Sequence, residues 1–195
     1  HIGNMDWIIK QYDIGAFYMP KKSHTTDAYK DMANALLERD IKAKEAKSGV
    51  LIDFDSQVEC EFLAPIGTKY DDLNDYSAVL KITFGNTSFL LAADAEKTSE
   101  DEMISKYGAL LKSDVLKAGH HGNGSSSTLA LLALVKPQFS AISMKDINEY
   151  GDPQDKLNFF KRFTMDGGKL YRTDVDGDIT FISDGMKITV ETSGK

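Results

Sequence analysis

Two adjacent imidazoles, His120 and His121, sit in the stretch LKAGHHGNGSSS, between an apolar run and a segment of Gly, Asn and Ser. Imidazole is the commonest side-chain metal ligand, and consecutive residues at a strand end cannot both point into the core. The split this implies sends one ring to a metal and the other towards substrate or a supporting position. The alternative is a solvated loop with two surface histidines. A second strand-end feature is FLLAADAE, which sets Asp94 just after the apolar run Phe89 to Ala93. A carboxylate ending a buried strand needs a partner, because a lone anion in apolar surroundings is expensive. A metal would serve, and so would a loop cap or a lysine. The third feature is SMKDINEYGDP, where Asn148, Tyr150 and Asp152 can line a pocket, although Asp152 before Pro153 also reads as a helix cap.

Other candidates carry less. DVDGD (Asp174 to Asp178) hints at calcium, but an EF-hand loop would need Gly at 179 and an acid at 185, where Ile179 and Gly185 stand. It reads as a hairpin turn. His24 reads as a solvated loop residue, and the single cysteine, Cys60, as a small core residue. No P-loop, G-x-G-x-x-G, G-x-S-x-G or C-x-x-C motif is present.

These residues need elements to hold them. NMDWIIKQYD has helical spacing, IGAFYMP reads as a short strand, and TTDAYKDMANALLERD as an amphipathic helix with Tyr29, Met32, Leu36 and Leu37 on one face and Thr25 or Thr26 as cap. GVLIDF and VECEFLAP form a hairpin across DSQ, and SAVLKITFG and TSFLLAADA a second across Gly85-Asn86. The intervening IGTKYDDLNDYS reads as a polar loop. SEDEMISKYGALLKSD is a helix with a Ser99/Glu102 capping box and an apolar face of Met103, Ile104, Tyr107, Leu110 and Leu111. Then follow strand DVLKAG, helix TLALLALVKP, strand QFSAISM and helix DPQDKLNFFKRF, and finally strands KLYRT, DITFIS and MKITVET. Hairpins followed by alternating helix and strand predict an α/β architecture with mixed sheets and helices packed outside. Polar residues gathered at strand ends are where such folds build sites.

At 195 residues and 42% hydrophobic, the chain can bury a core of about one domain. Its formal charge of -7 argues against a broad electrostatic grip on nucleic acid, though not against a local basic groove. No apolar run approaches the ~20 residues that span a bilayer, so no membrane segment is read in this chain. The sequence opens on His1 and runs almost at once into a helical pattern, which reads as a fragment.

Taken in order, the motifs resemble the metallo-β-lactamase-fold hydrolases, in particular the metallo-hydrolase domain of bacterial competence (DNA-uptake) channel proteins. HIGNMDWIIKQYDIGAFYMP resembles the tail of the H-x-[HD]-x-D-H-x-x-G segment, with His1 as its last histidine. NDYSAVLKI resembles N-[ND]-x-S-[VL]-V-[LV], FLLAADAE resembles F-L-L-T-G-D-A-E, and DVLKAGHHGNGSSS resembles D-V-L-K-x-x-H-H-G-S-x-x-S. SMKDINEYGDP and LYRTDVDGDI are similar to S-x-x-x-x-N-x-Y-G-H-P and V-Y-R-T-D-x-x-G. Ala93 stands where that pattern has Gly, which matters only if the turn needs positive φ. Asn123 replaces a Ser, and Asp152 a His.

The resemblance implies an αββα sandwich, mostly its C-terminal portion, as a single domain over 1–195 lacking the N-terminal strands and the first metal-ligand motif. It implies metal ligands His1, Asp94 and His120, and His121 in a supporting or substrate-facing place. Asn74, Ser77, His121, Asn148, Tyr150 and Asp152 would face substrate. In the complete domain two metals ~3.5–4 Å apart, zinc or alternatively manganese, would activate water and clamp attacking and leaving oxygens. The expected activity is a metal-dependent hydrolase of phosphodiester type, with Asp94, His120 and His121 catalytic. Its substrate would be a small phosphoester or nucleic acid. Thioesterase or lactonase chemistry, or a catalytically impaired binding module, are the alternatives. The resemblance points outside the cytoplasm or to the cell surface, with the cytoplasm as alternative.

Overall fold

The computed structural model describes residues 2–147 and 153–194, and the chain divides into two compact units, 1–46 and 47–195. In the first unit the helical spacing gives α1 (Met5–Gln11) and α2 (Asp27–Glu38), each followed by a short strand, β1 (Phe17–Met19) and β2 (Ala43–Glu45). The two strands pair in parallel, with Tyr18 opposite Lys44 and Met19 opposite Glu45. Ile9, Met32, Ala35 and Leu36 are the buried centre. Two expectations fail here. Leu37 is 79% exposed, because one residue past Leu36 on a helix lies about 100° further round. Thr26 takes the N-cap position of α2 without a side-chain cap bond; its hydroxyl meets Nδ1 of His24 at 3.1 Å instead. β2 was not legible at all, since KAKE has neither alternation nor an apolar run.

The second unit is built on a seven-stranded mixed sheet in the order β3-β4-β5-β6-β7-β8-β9. β3 (Val50–Asp55), β4 (Val58–Phe62), β5 (Leu80–Phe84) and β6 (Thr87–Leu91) are an antiparallel meander, as the two hairpin signals predict. From β6 onward the pairing is parallel, through β7 (Val115–Lys117), β8 (Phe139–Ile142) and β9 (Lys169–Arg172). The parallel strands are crossed by α3 (Lys97–Tyr107), α4 (Leu129–Val135) and α5 (Pro153–Lys161). β10 (Ile179–Ser183) and β11 (Ile188–Thr192) form a separate hairpin. The core packs sheet residues Leu90, Leu116 and Ile142 against Met103, Leu131, Val135 and Phe159 of the helices. Cys60 is buried in β4, where burial pushes its thiol pKa up.

Three local expectations are corrected. α3 begins at Lys97, so Ser99 lies inside the helix and caps nothing. Its N–H donates instead to the buried Asp75 carboxylate at 3.0 Å. Glu102 serves Gly67 N and the Tyr70 hydroxyl rather than the helix start. Leu110 is 71% exposed because α3 ends at Gly108, φ +50, and the chain continues as a 3₁₀ turn that breaks the helical period. Finally, DVDGD is not a hairpin turn. It lies in and just after a helical turn, α6 (Thr173–Asp176), closed by Asp176 accepting from Arg172 N at 2.7 Å and by an Arg172–Asp174 ion pair.

Candidate functional site

Parallel pairing brings the strand ends level. Leu91 lies opposite Lys117, Lys117 opposite Ala141, and Ala141 opposite Tyr171. Asp94 stands three residues beyond this row on the first strand and His120 three beyond it on the second, so the two loops start side by side. They are tied together directly: His120 N donates to Ala93 O at 3.0 Å.

Both loops are held in backbone shapes that L-residues avoid. Ala93, His120, His121 and Ser127 have φ of 49°, 45°, 52° and 47°. Each costs on the order of 1–2 kcal/mol relative to the right-handed region. The turn at Ala93 is therefore one that needs positive φ, where the resembling pattern carries Gly.

A dense hydrogen-bond set offsets this cost. Ser127 Oγ accepts from Gly119 N at 3.0 Å, and the single hydroxyl hydrogen of Ser126 is shared between Gly119 O and Asn123 O, each 2.9 Å from its Oγ. Beneath them the fully buried Glu100 of α3 accepts from Ser127 N at 2.5 Å and Thr128 N at 2.9 Å. The Gly/Asn/Ser tail is thus a pinned clasp.

The two histidines are oriented differently. His121 Nδ1 lies 2.7 Å from the Ser143 carbonyl, which can only accept, so Nδ1 carries the hydrogen. In the neutral ring Nε2 is then an acceptor, and it lies 3.7 Å from Asp94 Oδ1. His120 Nδ1 is 2.8 Å from Glu96 Oε1. Glu96 also accepts from Asn74 Nδ2 at 3.3 Å and Ser125 Oγ at 2.9 Å. Ser77 Oγ accepts from Asp94 N at 3.2 Å. Of the residues expected at the site, Asp94, His120, His121, Asn74 and Ser77 are therefore brought together. The ring beside the Asp94 carboxylate is that of His121, while His120 is held by Glu96. His1, Asn148, Tyr150 and Asp152 lie outside the described residues.

Two participants were missed in the sequence. Glu96 carries no signal of its own in the sequence, although three polar groups converge on it. Lys117, in the row of strand ends, is largely buried; burial lowers its pKa while the Asp94 charge raises it, and its Nζ donates to Ala118 O at 2.8 Å. An ammonium near a recessed carboxylate lowers the cost of burying both. Glu96 and Ser125 also line a groove of about 500 Å³ with Lys69, Tyr70 and Lys97, which gives room for a ligand.

Asp94 Oδ1 and the Nε2 of neutral His121 are two acceptors facing each other, an arrangement that favours a cation between them. Their separation suits two donors each about 2.1 Å from one zinc ion. Nδ1 hydrogen bonds to a carbonyl or carboxylate are how metal-binding histidines are usually held. The described residues contain no group of three or more His, Cys, Asp or Glu that could hold a metal.

Comparison with known proteins adds the relationship. Competence protein ComA of Neisseria gonorrhoeae is 36% identical over 124 residues, covering 64% of this chain and 18% of the relative. ComE operon protein 3 of Bacillus subtilis is 27% identical over 182 residues, 93% of this chain and 23% of the relative. Recombination protein 2 of Haemophilus influenzae is 31% identical over 117 residues, 59% of this chain and 14% of the relative. The solved structure of a mutant of the β-hydroxylase CmlA superposes with a TM-score of 0.53 at 14% identity, covering 81% of this chain and 38% of that one. The chain has a metallo-β-lactamase fold and resembles the competence proteins. No family model matches it. The chain spans roughly a fifth of the length of the curated relatives it matches. No helix among the described residues is long and apolar enough to cross a membrane.

Proposed function

We propose that the 47–195 unit carries the substrate-facing part of a metal-dependent hydrolase acting on phosphodiesters. The observation that carries this reading is the facing pair of acceptors, Asp94 Oδ1 and His121 Nε2, 3.7 Å apart. Zinc, or manganese as its rival, would be held by Asp94 and His121. When bound, such an ion lowers the pKa of water towards neutrality and polarises a phosphoryl oxygen. The chain's own residues do the rest. Ser143 O fixes the His121 tautomer through Nδ1, and Glu96 fixes the His120 ring in the same way. Asn74, which gives one amide hydrogen to Glu96, keeps the other for a phosphate oxygen. Lys117 keeps the local charge near neutral so that an anionic substrate can approach. The relatives' names, competence and recombination proteins, support nucleic acid as the phosphodiester.

The test is metal content and bis-p-nitrophenyl phosphate turnover of the full chain after zinc or manganese loading, repeated with Asp94→Asn and His121→Asn. Stoichiometric metal and turnover, both lost in each variant, are expected. Metal bound equally well by both variants would overturn the pair as ligands. A second reading, a binding module of the same fold, is favoured by the shortage of a third donor among the described residues. It predicts no turnover at any metal concentration.

A further inference from the structure

The 1–46 unit holds a groove that the hydrolase reading does not use. Its volume is about 550 Å³, and Pro20, Lys21, Lys22, Tyr29, Lys44 and Glu45 are among its walls. It sits at the carboxyl ends of the parallel pair β1 and β2, the end of parallel strands where ligands collect. The local backbone builds it. Lys22 N donates to Pro20 O at 2.7 Å, so the chain turns sharply after β1 and carries Lys21 and Lys22 over the strand ends. Across the register Lys44 lies opposite Tyr18, and its ammonium rests 5.4 Å from the Tyr18 ring centroid. That contact holds one cation at the groove while leaving its outer face to solvent.

Charge distribution singles this groove out. Of the chain's 23 Lys and Arg and 30 Asp and Glu, seven of each fall in residues 1–46. This segment is formally neutral, and the whole net charge of -7 falls on 47–195. An extended polyanion is repelled by the second unit's field and meets three lysines against one glutamate here. The groove's volume leaves room for a short stretch of sugar-phosphate backbone, and partly buried Tyr29 gives it an aromatic wall on which a base can stack.

The geometry points to this groove as a binding site for the backbone of single-stranded nucleic acid, separate from the Asp94–His121 pair. It rests on the phosphodiester reading only for the class of ligand. The test is fluorescence anisotropy of a labelled twelve-nucleotide oligothymidine with the full chain in EDTA, so that binding is read without turnover, from low to physiological salt. Lys21→Gln/Lys22→Gln/Lys44→Gln should weaken binding roughly tenfold or more at low salt. It should also flatten the slope of log K against log salt by about 2, three contacts at ~0.7 each. The charge-matched control Lys161→Gln/Lys169→Gln/Lys187→Gln should leave both unchanged. Equal affinity and slope in the groove variant and the parent overturn the proposal. So does an oligonucleotide that fails to bind while inorganic polyphosphate binds. Circular dichroism confirms that the variants fold, and the single Lys44→Gln, expected to flatten the slope by about 0.7, stands in if the triple does not. A null result here leaves the metal pair untouched, and absence of turnover leaves the groove untouched.

Discussion

Glu100 is the residue on which the histidine loop hangs. Its carboxylate is wholly buried, yet it faces two backbone N–H groups, Ser127 at 2.5 Å and Thr128 at 2.9 Å. Hydrogen bonds to a charged acceptor contribute roughly 1.5–3 kcal/mol each, so two are worth about 3–6 kcal/mol. Burial works against them: desolvation is the largest influence on Glu100 and raises its pKa above the ordinary 4.5 despite the hydrogen bonds. Removing the charge therefore returns part of what the bonds supply, and Glu100→Ala should cost about 2–4 kcal/mol net. Glu100→Gln should cost less, because one amide oxygen still accepts while its NH₂ meets the second N–H donor to donor. Guanidinium unfolding followed by circular dichroism gives the loss. Amide exchange at Ser127 and Thr128 reports whether the clasp opens locally. The sign with pH is fixed as well. A carboxyl whose folded pKa lies above its unfolded one binds protons more tightly when folded. Its contribution is full below pH 4.5 and is lost as pH rises through the folded pKa. The parent should therefore shed more stability than Glu100→Gln as pH climbs out of the acid range. A loss under ~0.5 kcal/mol in Glu100→Ala, with unchanged exchange at both amides, would refute the clasp.

Other substitutions test separate pieces. Ala93→Gly should stabilise the protein by about 0.5–1 kcal/mol in the same unfolding assay, since relief of positive φ at 49° outweighs the added chain entropy of glycine. Gly85→Ala should be severely destabilising, by about 3 kcal/mol or more, because a Cβ there would lie 2.4 Å from the Gly185 carbonyl oxygen in a backbone already at φ +55. A destabilisation below ~1 kcal/mol would place the two turns further apart than described. Tyr70 has its pKa pushed up to about 12, first by burial and then by its hydrogen bond to Glu102. The folded state thus holds that proton longer, and Tyr70 makes stability fall between pH 10 and about 12. Tyr70→Phe should flatten that part of the pH profile, measured by thermal unfolding against the parent.

What the sequence made legible was whatever local pattern decides alone. The Gly85-Asn86 hairpin, the parallel strands DVLKAG and QFSAISM, and the gathering of Asp94, His120 and His121 at strand ends all follow from short-range periodicity and turn chemistry. What stayed hidden depends on partners distant in the chain. Ser99 and Glu102 satisfy the spacing of a capping box, yet Asp75, 24 residues earlier, takes the Ser99 N–H and frees α3 to start at Lys97. β2 exists because β1 offers it a parallel edge, not because KAKE favours a strand. The same reasoning decides between the two histidines. Adjacent residues with equal chemistry cannot be ranked by sequence. Ser143, at the end of a different strand, takes the His121 Nδ1 hydrogen, and Glu96 takes up that of His120. One carbonyl and one carboxylate, each more than twenty residues from its imidazole, thus turn a symmetrical pair into two rings with different neighbours. The Nε2 atom beside Asp94 is the one whose tautomer a backbone carbonyl enforces. Both rings are held through Nδ1, so what separates them is placement and not tautomer: His121 Nε2 lies 3.7 Å from Asp94 Oδ1, and on the proposed reading that position makes His121 the ligand.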